Sequence, residues 1–180
     1  MNEKLYIKKI KKGNHQALDQ FIETLYPQVY SFVSKKMGGA EIAKDLTQEV
    51  FIRFIRALPT YQYQNKTINY LYKISSHVCF SYYKKQRFEL EIDEHLIVDK
   101  RIDVHETIIK AFDNEQLDQA IHQLKSKQQD IIILKYFHQY TFKEIADIYN
   151  ENISTIKSRH YQALVQLKRI MEGEKTNGNR

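Results

Sequence analysis

Asp45 and Glu49 lie one helical turn apart, a spacing at which two carboxylates could hold a cation or serve as acid and base. No histidine stands near them in sequence, and a solvated acidic face is the better reading of the pair. His77 and Cys79 offer metal-ligand types two positions apart, but no second pair at zinc spacing accompanies them. A glycine-rich phosphate loop, an HExxH pair and a serine or cysteine nucleophile motif are all missing. No cofactor or metal is therefore expected. The remaining chemistry is that of recognition. TIKSRHYQAL, 155–164, packs Lys157, Arg159, Tyr161 and Gln162 into one run, with donors of the kind that base edges and phosphates accept. YLYKISSHVCFSYYKKQR, 70–87, interleaves Lys73, Lys84 and Arg87 with Tyr70 and Phe80. Cations that hold phosphates beside rings that stack on bases suit a single strand.

These residues need helices to position them. With 5 glycines and 2 prolines in 180 residues, the chain is poor in the turn chemistry that strands require. Its formal net charge of +6 favours an acidic partner such as nucleic acid. The single cysteine, Cys79, allows no internal disulfide and suits a reducing cytosol. The N-terminus lacks the apolar core of a signal peptide, and no stretch approaches the roughly 20 apolar residues of a membrane span. The expected localisation is cytoplasmic. Charge divides the chain in three. Residues 1–87 carry 15 Lys/Arg against 6 Asp/Glu, residues 88–113 carry 3 against 8, and residues 114–180 carry 10 against 8. The middle piece has no sustained helical period and reads as a linker. The expected fold is all-α: two small helical domains, 1–87 and 114–180, joined by the acidic linker 88–113.

In the C-terminal domain, Thr141 and Glu144 form a capping-box pattern ahead of Phe142, Ile145, Ala146, Ile148 and Tyr149. Asn150 suits a left-handed turn and Asn152 a new cap. The following helix should bury Ile153, Ile156, His160, Ala163, Leu164, Leu167 and Ile170. Its opposite face centres on Ser154, Ser158, Tyr161, Gln162, Val165 and Arg169, with Lys157 and Arg159 on its flanks. Two helices about a tight turn, the second polar on its outer face, make a helix-turn-helix. That face is concentrated because it would enter the major groove, although a solvated face would show the same pattern.

In the N-terminal domain, Asn14 can cap a helix that Pro27 should bend or divide, and Gly38-Gly39 end it. A second helix, about 41–57, puts Glu41, Asp45, Gln48, Glu49, Ile52 and Arg56 on one face. Ile52, ringed by charges, fits both a lone exposed side chain and the centre of an interface. LPTYQYQNKT, 58–67, reads as a loop. The helix after it, about 68–87, shows Tyr70, Lys73, His77, Phe80, Lys84 and Arg87. The loop's Tyr61, Tyr63, Gln64 and Asn65 could capture an extruded base, or could merely cap the helix and pack on the domain.

Two segments together resemble one family. AKDLTQEVFIRF, 43–54, resembles the polymerase-binding segment of bacterial sigma factors. LKSKQQDIIILKYFHQYTFKEIADIYNENISTIKSRHYQALVQLKR, 124–169, resembles their promoter-reading C-terminal domain. With no domain between them, the chain resembles the small extracytoplasmic-function group from about residue 5 to residue 171. The resemblance implies a non-catalytic subunit that binds core RNA polymerase and promoter DNA, commonly held by an anti-sigma factor. It implies that Asp45, Gln48, Glu49, Ile52 and Arg56 face the polymerase. It places Tyr61, Tyr63, Gln64, Asn65, Lys66, Tyr70, Lys73, His77, Phe80, Lys84 and Arg87 on the minus-ten element. It places Ser154, Thr155, Lys157, Ser158, Arg159, Tyr161 and Gln162 on the minus-thirty-five element. The linker would thread near the polymerase active centre. The chain departs from the group's usual tryptophan at Tyr70, asparagine at His77 and aspartate at Ser81. It also has Ser126 for a frequent proline, and Asn150 and Ser154 for frequent glycines. The rival readings are a stand-alone helix-turn-helix regulator and a metal-dependent phosphodiesterase built on Asp45 and Glu49.

Overall fold

Asn14 starts a 23-residue helix as its sequence position predicts: its side-chain oxygen accepts the Ala17 N–H at 2.8 Å. The computed structural model describes residues 3–63, 66–89 and 115–177. Gln64, Asn65 and nearly all of the predicted acidic linker 88–113 lie outside the described residues, as does the side chain of Arg87. The chain divides into two compact units, Met1–Ser81 and Tyr82–Arg180.

In the first unit, α1 (Glu3–Lys11) packs on α2 (His15–Met37), and α2 packs on α3 (Ala40–Ala57). The fourth helix, α4 (Thr67–Glu89), begins here and runs past the division between units. Helix α2 ends at Gly38, whose φ of 72° is the left-handed conformation that glycine adopts without strain. Pro27 does not divide α2. Pro27 and Glu23, whose carbonyl its missing N–H would have met, both lie on the exposed face. Water can serve that carbonyl while Leu25, Val29 and Phe32 hold the opposite face in the core. Aromatic pairs fill this core. Phe21 stacks on Phe54 at 5.8 Å, and Phe32 meets Tyr72 at 5.2 Å. The buried Thr47 and Ser75 hydroxyls donate to the Ala43 and Leu71 carbonyls one turn back, so neither polar group is stranded.

The second unit contains α5 (Glu115–His122), α6 (Ser126–Ile132), α7 (Phe142–Tyr149) and α8 (Ile153–Asn177). A π-helical turn, Ile133–Phe137, continues α6, and the His138 N–H donates to the Ile133 carbonyl at 3.2 Å. The core joins Leu117, Ala120, Ile121, Leu124 and Ile132 to Ala163, Leu164 and Leu167 of α8. Both α5 and α6 pack on α8, which widens its buried stripe, so that Val165, expected on the polar face, is half-buried against the core. Ile153, expected in the stripe, is 41% exposed: it stands on the first turn of α8, outside that core. Among the described residues there is no strand, and no helix is long and apolar enough to cross a membrane.

Candidate polymerase and nucleic-acid interfaces

Helix α3 has a clean division of faces. Ala43, Leu46, Thr47, Val50, Phe51 and Phe54 are buried, while Asp45, Gln48, Ile52 and Arg56 are exposed. Ile52 is 42% exposed amid those polar groups. Glu49 is half-buried and accepts a 2.7 Å hydrogen bond from Arg53 Nε one turn on. Two residues that sequence reasoning passed over join this surface. Arg53 was signalled by its i+4 spacing from Glu49, and Ile55, 37% exposed, by its i+3 spacing from Ile52. The two isoleucines together give the charged face an apolar centre, a pattern that interface cores share. Asp45 and Glu49 acquire no third ligand: among the described residues, no group of three His, Cys, Asp or Glu side chains could hold a metal.

The segment after α3 is tied down at its start. Leu58 is buried, and the Tyr61 N–H donates to the Ala57 carbonyl at 2.9 Å. Tyr61 packs on Tyr70 with ring centroids 4.9 Å apart, and both meet the edge of Phe54. Burial raises the Tyr61 phenol above its ordinary 10.0, so it stays protonated at neutral pH. Tyr61 and Tyr70 therefore form one aromatic wall with the core. Tyr63, two residues on and outside any helix, is half-buried. Along α4, Lys73 is half-buried and His77, Phe80 and Lys84 are exposed, Phe80 at 54%. Lys66 is exposed just before the helix. Lys84 and Arg87 lie past Ser81, on the part of α4 that belongs to the second unit. Cys79 is buried while His77 is exposed, so the two do not form a ligand pair.

In the second unit, the predicted capping box is present. The Glu144 N–H donates to Thr141 Oγ1 at 3.2 Å, and the Thr141 N–H donates to Glu144 Oε2 at 2.9 Å. Asn150 closes α7 in the left-handed conformation, φ 54° and ψ 47°. The Ile156 N–H then donates to the Asn152 carbonyl at 3.1 Å as α8 begins. The result is the helix-turn-helix expected from sequence. Ser154, Lys157, Ser158, Tyr161 and Gln162 are exposed on α8, and Thr155 is half-buried. Arg159 is placed differently: half-buried, it pairs with Glu151 in the turn. On the inner face, His160 is buried, with its Nε2 2.9 Å from the Tyr136 hydroxyl and its ring edge-on to Phe142. That contact locks α8 against the π turn and α7, and so fixes which side chains face outward.

Comparison with known proteins agrees with this anatomy. The family model for Sigma-70 region 2 matches residues 21–89, and that for Sigma-70 region 4 matches residues 114–167. The ECF RNA polymerase sigma factor BldN of Streptomyces coelicolor is 24% identical over 92% of this chain; the match spans 64% of that relative's length. The RNA polymerase sigma factor YlaC of Bacillus subtilis is 26% identical over 88% of this chain and 94% of its own. The co-crystal structure of the sigma factor RpoE with the anti-sigma factor NepR from Bartonella quintana shares the fold. Its TM-score is 0.64 at 21% identity, covering 86% of this chain and 96% of that one.

Proposed function

The chain belongs to the extracytoplasmic-function group of sigma-70 factors, and from that premise we propose how its surfaces divide the work of starting transcription. The protein binds core RNA polymerase through the α3 face of Asp45, Gln48, Glu49, Ile52 and Arg56. The loop and the outer face of α4 hold the minus-ten element as a single strand. Helix α8 reads the minus-thirty-five element as duplex through Ser154, Lys157, Ser158, Tyr161 and Gln162. The chain acts as a specificity subunit, and the bond-making chemistry belongs to the polymerase. It works in the cytoplasm. The domains are 1–87 and 114–180, and the acidic segment 88–113 joins them and runs along the polymerase's nucleic-acid path, where its carboxylates mimic phosphates. A further partner is an anti-sigma factor that covers one of these surfaces.

The observation that carries this reading is Ile52, 42% exposed at the centre of a charged helix face, on the same chain as a helix-turn-helix with a bare polar face. A stand-alone DNA-binding regulator leaves the first of these without a use. The test is binding to core polymerase by the wild type and by Ile52→Glu with Gln48→Ala. We expect the wild type to bind, and the folded double mutant to lose at least about tenfold in affinity, since a buried carboxylate in an apolar centre costs more than one factor of ten. A folded double mutant with undiminished affinity would remove α3 from the interface.

A further inference from the structure

Two cations flank the recognition face of α8, and the fold treats them differently. Lys157 is exposed, and among the described residues no ion pair holds it. Arg159 is half-buried, and its Nη1 donates to Oε2 of Glu151. Its side chain is 34% exposed and that of Glu151 24%, so water screens this pair less than one on an open helix face. Both partners stand on fixed backbone. Glu151 follows the left-handed Asn150 in the turn between α7 and α8, and its N–H donates to the Ala146 carbonyl at 3.0 Å. Arg159 precedes His160, which is buried against Tyr136 and Phe142. Turn and helix thus bring the two side chains within reach of each other, and little further ordering is needed to join them.

Such a pair staples a turn to a helix, and its place gives it a second consequence. Phosphate contacts supply the sequence-independent part of DNA affinity and carry no base information. Arg159 precedes Gln162 by three residues, so the two are neighbours on the surface of α8. A guanidinium free at that edge would add a phosphate contact to any duplex. Held by Glu151, it presents a neutral pair instead. The effect falls unevenly on right and wrong sequences. A duplex with no preferred register can shift until each cation meets a phosphate. A promoter fixed in register by base contacts cannot. A withheld cation therefore weakens the wrong complexes more than the right one.

We propose that Glu151 is a specificity-determining residue: by engaging Arg159 it withholds a cation from DNA phosphates and so keeps affinity for non-promoter duplex low. This rests on the reading that α8 enters the minus-thirty-five element. Glu151 acts through Arg159 and touches no DNA itself.

The test compares the wild type with Glu151→Gln, Arg159→Ala, the two substitutions combined, and Gln162→Ala, each as holoenzyme with core polymerase. Binding is titrated between about 50 and about 200 mM salt on two duplexes. One carries a minus-thirty-five element mapped for the wild type, and the other has that element scrambled. Melting temperatures of the full chains are recorded alongside. We expect Glu151→Gln, which keeps the shape of the side chain, to tighten binding to the scrambled duplex about threefold at the lower salt and to steepen its salt slope by about 0.9. The mapped duplex should gain less, so the ratio of the two affinities should fall. The combined variant should return slope and ratio to wild-type values, and Arg159→Ala alone should change neither. Lower melting temperatures in Glu151→Gln with slope and ratio unchanged would reduce the pair to a staple and overturn the proposal. Weaker binding by Glu151→Gln also overturns it, because Glu151 would then aim Arg159 at the DNA. An equal gain on both duplexes overturns the specificity role. A combined variant as tight as Glu151→Gln does the same for the route through Arg159, since the carboxylate's own charge would be responsible. If Gln162→Ala lowers the ratio while Glu151→Gln changes nothing, α8 reads the promoter without this restraint. If Gln162→Ala leaves the ratio intact, the recognition reading fails and takes the role of Glu151 with it.

Discussion

Gln162 and Lys157 stand exposed on one helix face, yet they are suited to different work. A glutamine can pair with both hydrogen-bonding atoms of an adenine edge, so Gln162→Ala should erase preference at one upstream position, worth roughly 1–3 kcal/mol. Lysine contributes a point charge, so Lys157→Ala should weaken all sequences alike and reduce the slope of binding against salt by about one unit. Both are measured by titrating promoter variants at several salt concentrations, and a Gln162→Ala protein with every base preference unchanged would contradict the placement. Arg159 is held by Glu151, so Arg159→Ala should destabilise the fold by less than about 1 kcal/mol, as expected of a partly exposed pair, and leave the salt slope nearly unchanged. A salt slope that falls by a full unit would instead put Arg159 on a phosphate. The exposed face of α8 was legible because 3.6-residue periodicity separates Ile156, His160, Ala163 and Leu167 from Ser154, Ser158 and Gln162. The role of Arg159 was not, because its partner lies in the turn before the helix, and helix periodicity says nothing about contacts across a turn.

At the level of elements, short-range chemistry decided the boundaries. The Thr141–Glu144 box and the left-handed Asn150 set the two ends of α7, and both were readable because each acts within a few residues. Thr141→Ala should cost about 1 kcal/mol. Asn150→Ala should cost roughly 1–2 kcal/mol because alanine pays for the left-handed conformation, whereas Asn150→Gly should be close to neutral. Denaturant titration of the three variants checks the order; an Asn150→Gly protein as unstable as Asn150→Ala would mean that the side chain, not the backbone, matters there. Two features escaped the sequence. Helix α1 gave no signal of its polar work, since Glu3 and Lys11 find their partners near position 60. The π turn was hidden in Ile131–Leu134, a continuous apolar run that fits a buried helix of any pitch. Pro27 shows the reverse: a strong local breaker was overruled because its orphaned carbonyl faces water and the opposite side of α2 is packed.

Across the whole molecule, basic and acidic segments were legible as a charge pattern long before any surface was assigned a partner. Folding stability should also carry a pH signature. Burial lowers the His138 imidazole below its ordinary 6.5. Below that value the unfolded chain takes up a proton that the folded ring resists, so stability should fall as pH drops through 6.5 toward the folded value and be unaffected above it. Thermal melts at about pH 7.5 and about pH 5.5 should show a larger drop for the wild type than for His138→Gln, and equal drops would assign the acid sensitivity elsewhere. The central claim, that one surface recruits polymerase while two others select and open promoters, meets its most direct test in transcription. Core polymerase free of other sigma factors is supplied with this protein and genomic DNA from its source organism, and transcript 5′ ends are mapped. The account predicts discrete start sites that share one sequence near minus ten and another near minus thirty-five, and that are absent with Ile52→Glu. Transcripts no different from those of core polymerase alone, or start sites with no shared upstream sequence, would contradict it.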